Sequence, residues 1–188
     1  MMAASAYAYG PLVGFQSEKA AQVAAKFVEL SGGRMHKLKL IKLLYLFERE
    51  SFRKRRRPAF YDEYYSLKDG PICSNALNGI NGGLGGEWAN YIHKDGRRDV
   101  FRVADAKYDR ISNSDMDIIT SLWKDFSEMT ASQIRAWTHD NCPEYTEITK
   151  GRKPITVLQI AEALEIEDAT SVEREIEEFR RLSSLVEY

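Results

Sequence analysis

The amino-acid sequence predicts a mainly α-helical single domain, packed around one buried central helix and carrying a small β-hairpin. Three observations lead there. Apolar residues between Ser17 and Leu30 recur at helical spacing. The run Leu38, Leu40, Ile41, Leu43, Leu44, Tyr45, Leu46 and Phe47 leaves little polar surface in the middle of the next segment. The last third holds three Thr-x-x-Gln/Glu spacings, the pattern in which a hydroxyl and a later polar side chain satisfy free N–H groups reciprocally.

In the first helix, Ser17 is the expected cap. Ala20, Val23, Ala24, Phe27 and Leu30 form its apolar face, and Gly32-Gly33 stops it. The second runs from Met35 to Arg57 and ends at Pro58. Apolar nearly all round, it is expected to be buried, with the other elements around it. Phe60 to Leu67 reads as a loop or a small edge strand. Asp69-Gly70-Pro71 reads as a turn, with Pro71 opening a short helix that runs through Leu77. Asn81 to Gly86 is glycine-rich and reads as a flexible break. Trp88–His93 and Asp99–Val103 alternate as strands, joined by a hairpin turn at Lys94 to Arg97. Ile118, Ile119, Leu122, Trp123 and Phe126 share a helical face. Thr130 with Gln133, Thr156 with Gln159, and Thr170 with Glu173 predict helices near 130–140, 156–164 and 170–186.

The bulk composition narrows the function classes. The 188 residues are 44% hydrophobic and 29% charged, a globular balance long enough for a real core. The formal net charge of -1 gives no overall pull toward nucleic acid or membrane. Two cysteines, Cys73 and Cys142, are too few for a disulfide framework and point to a reducing, cytoplasmic setting. No apolar run is long enough to span a bilayer. Residues 1–16 are expected to form a flexible N-terminal arm rather than a signal peptide, because a basic leader is lacking and Gly10-Pro11 interrupts the apolar stretch. The domain proper is expected over 17–188.

No assembled catalytic, cofactor or metal site is legible. His139 and Cys142 form an H-x-x-C pair without a second pair. Zinc binding or a Cys142 nucleophile are weaker readings there than a capping or buried role. The glycines at 82, 83, 85 and 86 lack the Lys-Ser/Thr of a phosphate loop. The sharpest charged feature is Arg53-Lys54-Arg55-Arg56-Arg57. Residues 34–68 carry eleven Lys/Arg against four Asp/Glu, a local net of +7, whereas 164–188 carry a net of -5. Two readings stand: cations complementing a helix C-terminus, or a contact patch for an acidic partner or phosphates. Residues 156–177 resemble a helix-turn-helix at first. However, Glu165 occupies the turn position where glycine is usual, and Glu173, Glu175, Glu177 and Glu178 would repel phosphates from the second helix. Specific DNA binding is therefore not expected.

Several tracts in order resemble a known family. They are MHKLKLIKLLYLFERE (35–50), the Arg57-Pro58 step, YYSLKDGPICSNALN (64–78), WANYI (88–92) and WTHDNCPEY (137–145), with ITVLQIAEALEI placed where that family has a terminal helix pair. Together they resemble the Panacea domain, the SocA-like antitoxin domain, over nearly everything from Ser17 onward. The matching positions are Lys42, Leu43, Tyr45, Arg57, Pro58, Asp69, Gly70, Pro71, Trp137, His139 and Pro143. The resemblance implies a helical domain with a small hairpin. It also implies an antitoxin that neutralises a cognate protein toxin by direct binding, or an adaptor that delivers the toxin to a Clp-type protease. Some members add a DNA-binding domain, for which this chain is expected to have no room. The expected partner contacts are Arg53, Arg55, Arg56, Arg57, Phe60, Tyr61, Tyr64, Tyr65, Asp69 and His139, since arginines and aromatics dominate binding hot spots.

Overall fold

The structure is a computed structural model that describes residues 14–84 and 86–186. Of the expected arm, residues 1–13 lie outside the described residues. Residues 14–16 are packed: Phe15 lies against the core, and the Gln16 amide donates to the Phe60 carbonyl at 2.7 Å.

The described residues form eight helices and two three-stranded antiparallel sheets, so the chain is mainly α with small β elements. In order they are α1 (Ser17–Leu30), β1 (Arg34–His36), α2 (Lys37–Arg55), β2 (Tyr64–Leu67), β3 (Gly70–Cys73), α3 (Ser74–Ile80), α4 (Gly86–Ala89), β4 (Ile92–Asp95), β5 (Asp99–Arg102), α5 (Asn113–Phe126), α6 (Ala131–Asn141), β6 (Lys153–Ile155), α7 (Val157–Ala163) and α8 (Ala169–Val186). One sheet has the order β1-β5-β4 and the other β3-β2-β6. The expected β4–β5 hairpin is present, and a second hairpin, β2–β3, accompanies it.

Helix α2 is the centre. It touches α1, α3, α5, α6, α7, β1 and β3, and most of its residues are buried. Phe47 illustrates the packing: its ring stacks on Phe60 at 5.2 Å and meets Phe27 edge-on at 6.5 Å. Truncating so enclosed a ring costs ~3–5 kcal/mol in typical cores.

Several boundaries differ from the sequence expectation for physical reasons. Met35 belongs to β1, and His36 caps α2 by accepting the Leu38 amide at Nδ1. The N-cap of α1 is Gln16, not Ser17, whose hydroxyl accepts the Trp88 indole N–H at 3.1 Å instead. Leu30 is exposed rather than part of the core. Pro71 sits in edge strand β3, where its missing N–H costs no ladder bond, and α3 starts later at Ser74. Asp62 holds that start, accepting the amides of Asn75 and Ala76 at 2.8 and 2.9 Å. Trp88 lies in α4 rather than in a strand. Its indole occupies the space over Gly79, where a Cβ would come within 2.2 Å of the ring. The boxes at Thr130/Gln133 and Thr156/Gln159 form as expected, whereas α8 starts one residue early and Asp168 accepts the Ser171 amide. Glu165 takes a left-handed φ of 55°, so the tight turn forms without glycine.

The central helix is less apolar than its pattern suggests. Lys42, Glu48 and Arg49 are all buried on it. The Arg49 guanidinium and the Tyr45 hydroxyl both donate to Glu144 Oε1 at 2.8 Å. Glu48 accepts the amides of Ala59 and Phe60 at 2.9 and 2.6 Å, and the Tyr64 hydroxyl. Burial outweighs these donors and pushes the Glu48 carboxyl up to about 8. At the start of α5, Asp115 accepts Lys19 Nζ at 2.9 Å and an Arg55 nitrogen at 2.7 Å, and forms a capping box with Ser112. Burial would raise this carboxyl, but the Lys19, Ser112 and Arg55 bonds together hold it down at about 2.

Two outcomes are expected. Glu144→Ala leaves the Arg49 charge buried and unpaired, so urea denaturation should show a loss of ~3–5 kcal/mol. Adding Arg49→Met should restore part of that loss; full additivity of the two changes would contradict the pairing. For Asp115, the folded pKa lies below the ordinary value of 3.8, so its stabilisation is present above about pH 4 and is lost as pH falls toward 2. Wild type should therefore exceed Asp115→Asn by ~2 kcal/mol at neutral pH, and denaturation midpoints measured from pH 5 to pH 2 should converge.

Candidate functional site

The basic run at the end of α2 is split by the fold into two kinds of residue. Arg53, Lys54, Arg56 and Arg57 point to solvent. Arg55 turns inward and forms the ion pair with Asp115. The helix stops because Arg56 adopts a left-handed φ of 58°, with its amide bonded to the Phe52 carbonyl at 2.8 Å. Arg53 shares its charge with Glu50, at 3.0 Å one turn back. The result is an exposed cationic cap of four side chains over a helix C-terminus, a place where the macrodipole already favours positive charge.

The four nearby aromatics divide as well. Phe60 is 0% exposed and Tyr64 is 3% exposed, so both belong to the core and present no surface to a partner in this fold. Tyr61 and Tyr65 are half-buried. Tyr61, at φ 57°, stacks on Phe179 of α8 at 4.1 Å. Burial raises its hydroxyl pKa while the charge of Arg57 lowers it, so these two side chains share one neighbourhood. Tyr65 lies beneath the Arg152 guanidinium, 4.5 Å from its ring centre.

Asp69 and His139 lie apart from that cap and meet a third residue, Lys42. Lys42 is buried, and its ammonium donates to the Pro71 carbonyl at 2.9 Å. Gly70 has φ +99°, and a Cβ there would fall 2.9 Å from Lys42 Nζ and 3.0 Å from His139 Nε2. Only glycine fits, both for the backbone angle and for the space. Across the turn, Arg135 of α6 bonds Asp69 Oδ1 at 3.0 Å and the Lys68 carbonyl at 3.2 Å. The Tyr145 hydroxyl reaches the Leu67 carbonyl at 3.1 Å, and its ring lies against His139. The chain thus brings Lys42, Gly70, Pro71 and His139, four of its family-like positions, into one cluster that locks the β2–β3 turn onto α2 and α6.

The electrostatics of this cluster follow from its burial. Desolvation lowers Lys42 to about 7, although Asp69 and the nearby thiols oppose it. His139 is lowered by burial and by the Arg135 and Lys42 cations. Burial and the Glu144 charge push Cys142 up to about 12, and burial also raises Cys73. Both thiols are protonated at neutral pH, unlike an activated nucleophile. Among the described residues, no group of three or more His, Cys, Asp or Glu side chains could hold a metal ion. No described helix is long and apolar enough to cross a membrane.

Arg135, Tyr145, Arg49 and Glu144 carry this region but were not singled out from the sequence. Three of the four flank or occupy the tract 137–145. A charged residue inside an otherwise apolar helix, such as Arg49, was the available signal.

The Lys42 pKa has a measurable consequence. Its folded value lies below the ordinary 10.5, so the fold should gain stability as pH rises from about 7 toward 10. Lys42→Met should remove that rise. Equal slopes for wild type and variant in paired denaturation series would contradict the buried-ammonium account.

Residues 40–144 match the family described as Antitoxin SocA-like, Panacea domain. No curated protein matches the chain, and no solved structure does. The matched span covers more than half of the chain and contains both the cationic cap and the Lys42 cluster. The chain belongs to the SocA-like, Panacea-domain family of antitoxin-like proteins.

Proposed function

We propose that this protein is the antitoxin of a type II toxin–antitoxin pair, acting in the cytoplasm, and that it neutralises its toxin by direct protein–protein binding. The observation that carries the reading is the antitoxin family match over 40–144. The exposed cap of Arg53, Lys54, Arg56 and Arg57, with Tyr61 beside Arg57, supports the choice of surface. Arginine and tyrosine are enriched among residues that dominate interface energy. Same-sign charges clustered at one helix end speed encounter with an acidic face. An ordinary interface buries ~1,600 Å², more than the cap alone supplies, so neighbouring surface takes part. Asp69 and His139 act in this reading by holding the β2–β3 turn, and Phe60 and Tyr64 by supporting the cap from below.

The test is co-expression with the product of the neighbouring reading frame in growing cells. That product alone should stop growth, and this protein should restore it by forming a stable complex. Arg56→Glu with Arg57→Glu should weaken the complex by about tenfold or more while the fold is kept, since a lost charge-assisted contact costs ~1.5–3 kcal/mol. Arg55 is left alone in this design because reversing it would break the buried pair with Asp115. Unchanged rescue by the soluble double variant would remove the cap from the interface. A toxin level that falls with this protein present, and recovers when the protease is deleted, would instead favour delivery to a Clp-type protease.

A further inference from the structure

The sheet β1-β5-β4 carries an aromatic and cationic row on its outer face. Met35, Val100 and Ile92 are buried on the inner face. Strand alternation turns their chain neighbours Arg34, Phe101 and His93 outward. The register sets Arg34 opposite Phe101 and Phe101 opposite His93, so the three cross the sheet side by side. The His93 ring stacks on Phe101 at 5.5 Å with the planes 15° apart. The Arg34 guanidinium lies over the Phe101 ring, 5.5 Å from its centre, and forms an ion pair with Asp99. Phe101 is half-buried, and the row ends on edge strand β4 in an exposed imidazole, His93.

Cations gather at the end of the same hairpin. Lys94, Arg97 and Arg98 are exposed, and none of them forms an ion pair among the described residues. Lys37 joins them: burial lowers its pKa, and the Lys94 charge lowers it further. Residues 34–37 and 92–99 together hold five Lys/Arg against two Asp. This surface is separate from the arginine cap. The two stand at opposite ends of α2, whose 19 residues span ~28 Å.

An exposed ring beside unpaired cations fits a planar base with its phosphates. Base–aromatic stacking tolerates any sequence, because every base has a π-face, and Lys/Arg track the backbone. A duplex hides its base faces, so the fit is to an unpaired strand. An acidic protein surface would use the cations but leave the ring stack idle. Unpaired strands in a cell are chiefly RNA. We infer that the outer face of β1-β5-β4 binds single-stranded RNA, with a base stacked on His93 and the adjoining phosphates on Lys94, Arg97 and Arg98. Neighbouring strands stand ~4.8 Å apart, so the row has room for one or two bases. The inference goes beyond the antitoxin reading and does not depend on it.

The experiment titrates fluorescein-labelled octauridylate with the full chain and reads anisotropy at about 50 mM and about 250 mM NaCl. The expected result is binding in the micromolar range that weakens about tenfold at the higher salt, as two phosphate contacts require. His93→Ala should weaken it about tenfold through the lost stack. Arg97→Glu with Arg98→Glu should weaken it further and flatten the salt response. All three positions are exposed, so circular dichroism should match wild type. No rise in anisotropy at ~100 μM protein in the lower salt would overturn the inference. So would indifference to His93→Ala, or equal binding of an RNA duplex of the same length. Binding that follows Arg56→Glu with Arg57→Glu instead of the hairpin changes would move the site to the cap and overturn it too. Octadeoxyuridylate bound about tenfold more tightly than the RNA would overturn RNA as the occupant.

Discussion

The burial of a charged helix is the constraint on which the rest of this structure depends. Helix α2 is enclosed by neighbours on nearly every side, yet Lys42, Glu48 and Arg49 are inside with it. A buried charge without partners is costly, so each must find bonds within the protein. Each finds them on a segment outside the helix. Lys42 takes the carbonyl of Pro71, Glu48 takes the amides of Ala59 and Phe60, and Arg49 takes Glu144. The helix therefore acts as a post to which the intervening chain is fastened, and the β2–β3 hairpin and the segment after α6 are located by those bonds.

The same groups make the fold's response to pH a balance of opposed effects. Glu48 is raised from 4.5 to about 8, so its contribution declines as pH climbs through that window. Lys42, lowered to about 7, works the other way over pH 7 to 10.5. The two lie on one helix, and their pH dependences oppose each other between about pH 7 and 8. Asp115 differs because two cations and a capping hydroxyl meet it directly. Its stability contribution fails only in acid.

At its far end α2 changes role. Five consecutive basic residues look uniform in sequence, but helical geometry sends Arg55 toward α5 and leaves Arg53, Lys54, Arg56 and Arg57 facing water. Dipole complementation, an inward ion pair and an exposed cationic patch thus coexist in one segment. Tyr61 links the patch to α8 through Phe179, so the surface that the family match covers is continuous with the C-terminal helix that it does not.

The helical class, the central helix, the β4–β5 hairpin and the capped starts of α6 and α7 were legible in the residue order, because each rests on local periodicity or on side chains three residues apart. The family resemblance also singled out Lys42, Gly70, Pro71 and His139 before their proximity was visible. The folded chain alone reveals that Pro71 enters a strand, that Trp88 seats over Gly79 instead of extending, and that Phe60 and Tyr64 are core while Tyr61 and Tyr65 are half-buried. Those outcomes turn on partners far along the chain. Trp88 packs on α1 and α3, and Tyr64 bonds a glutamate one strand-to-helix crossing away. Burial and long-range pairing are properties of the assembled chain, and no window of neighbouring residues contains them.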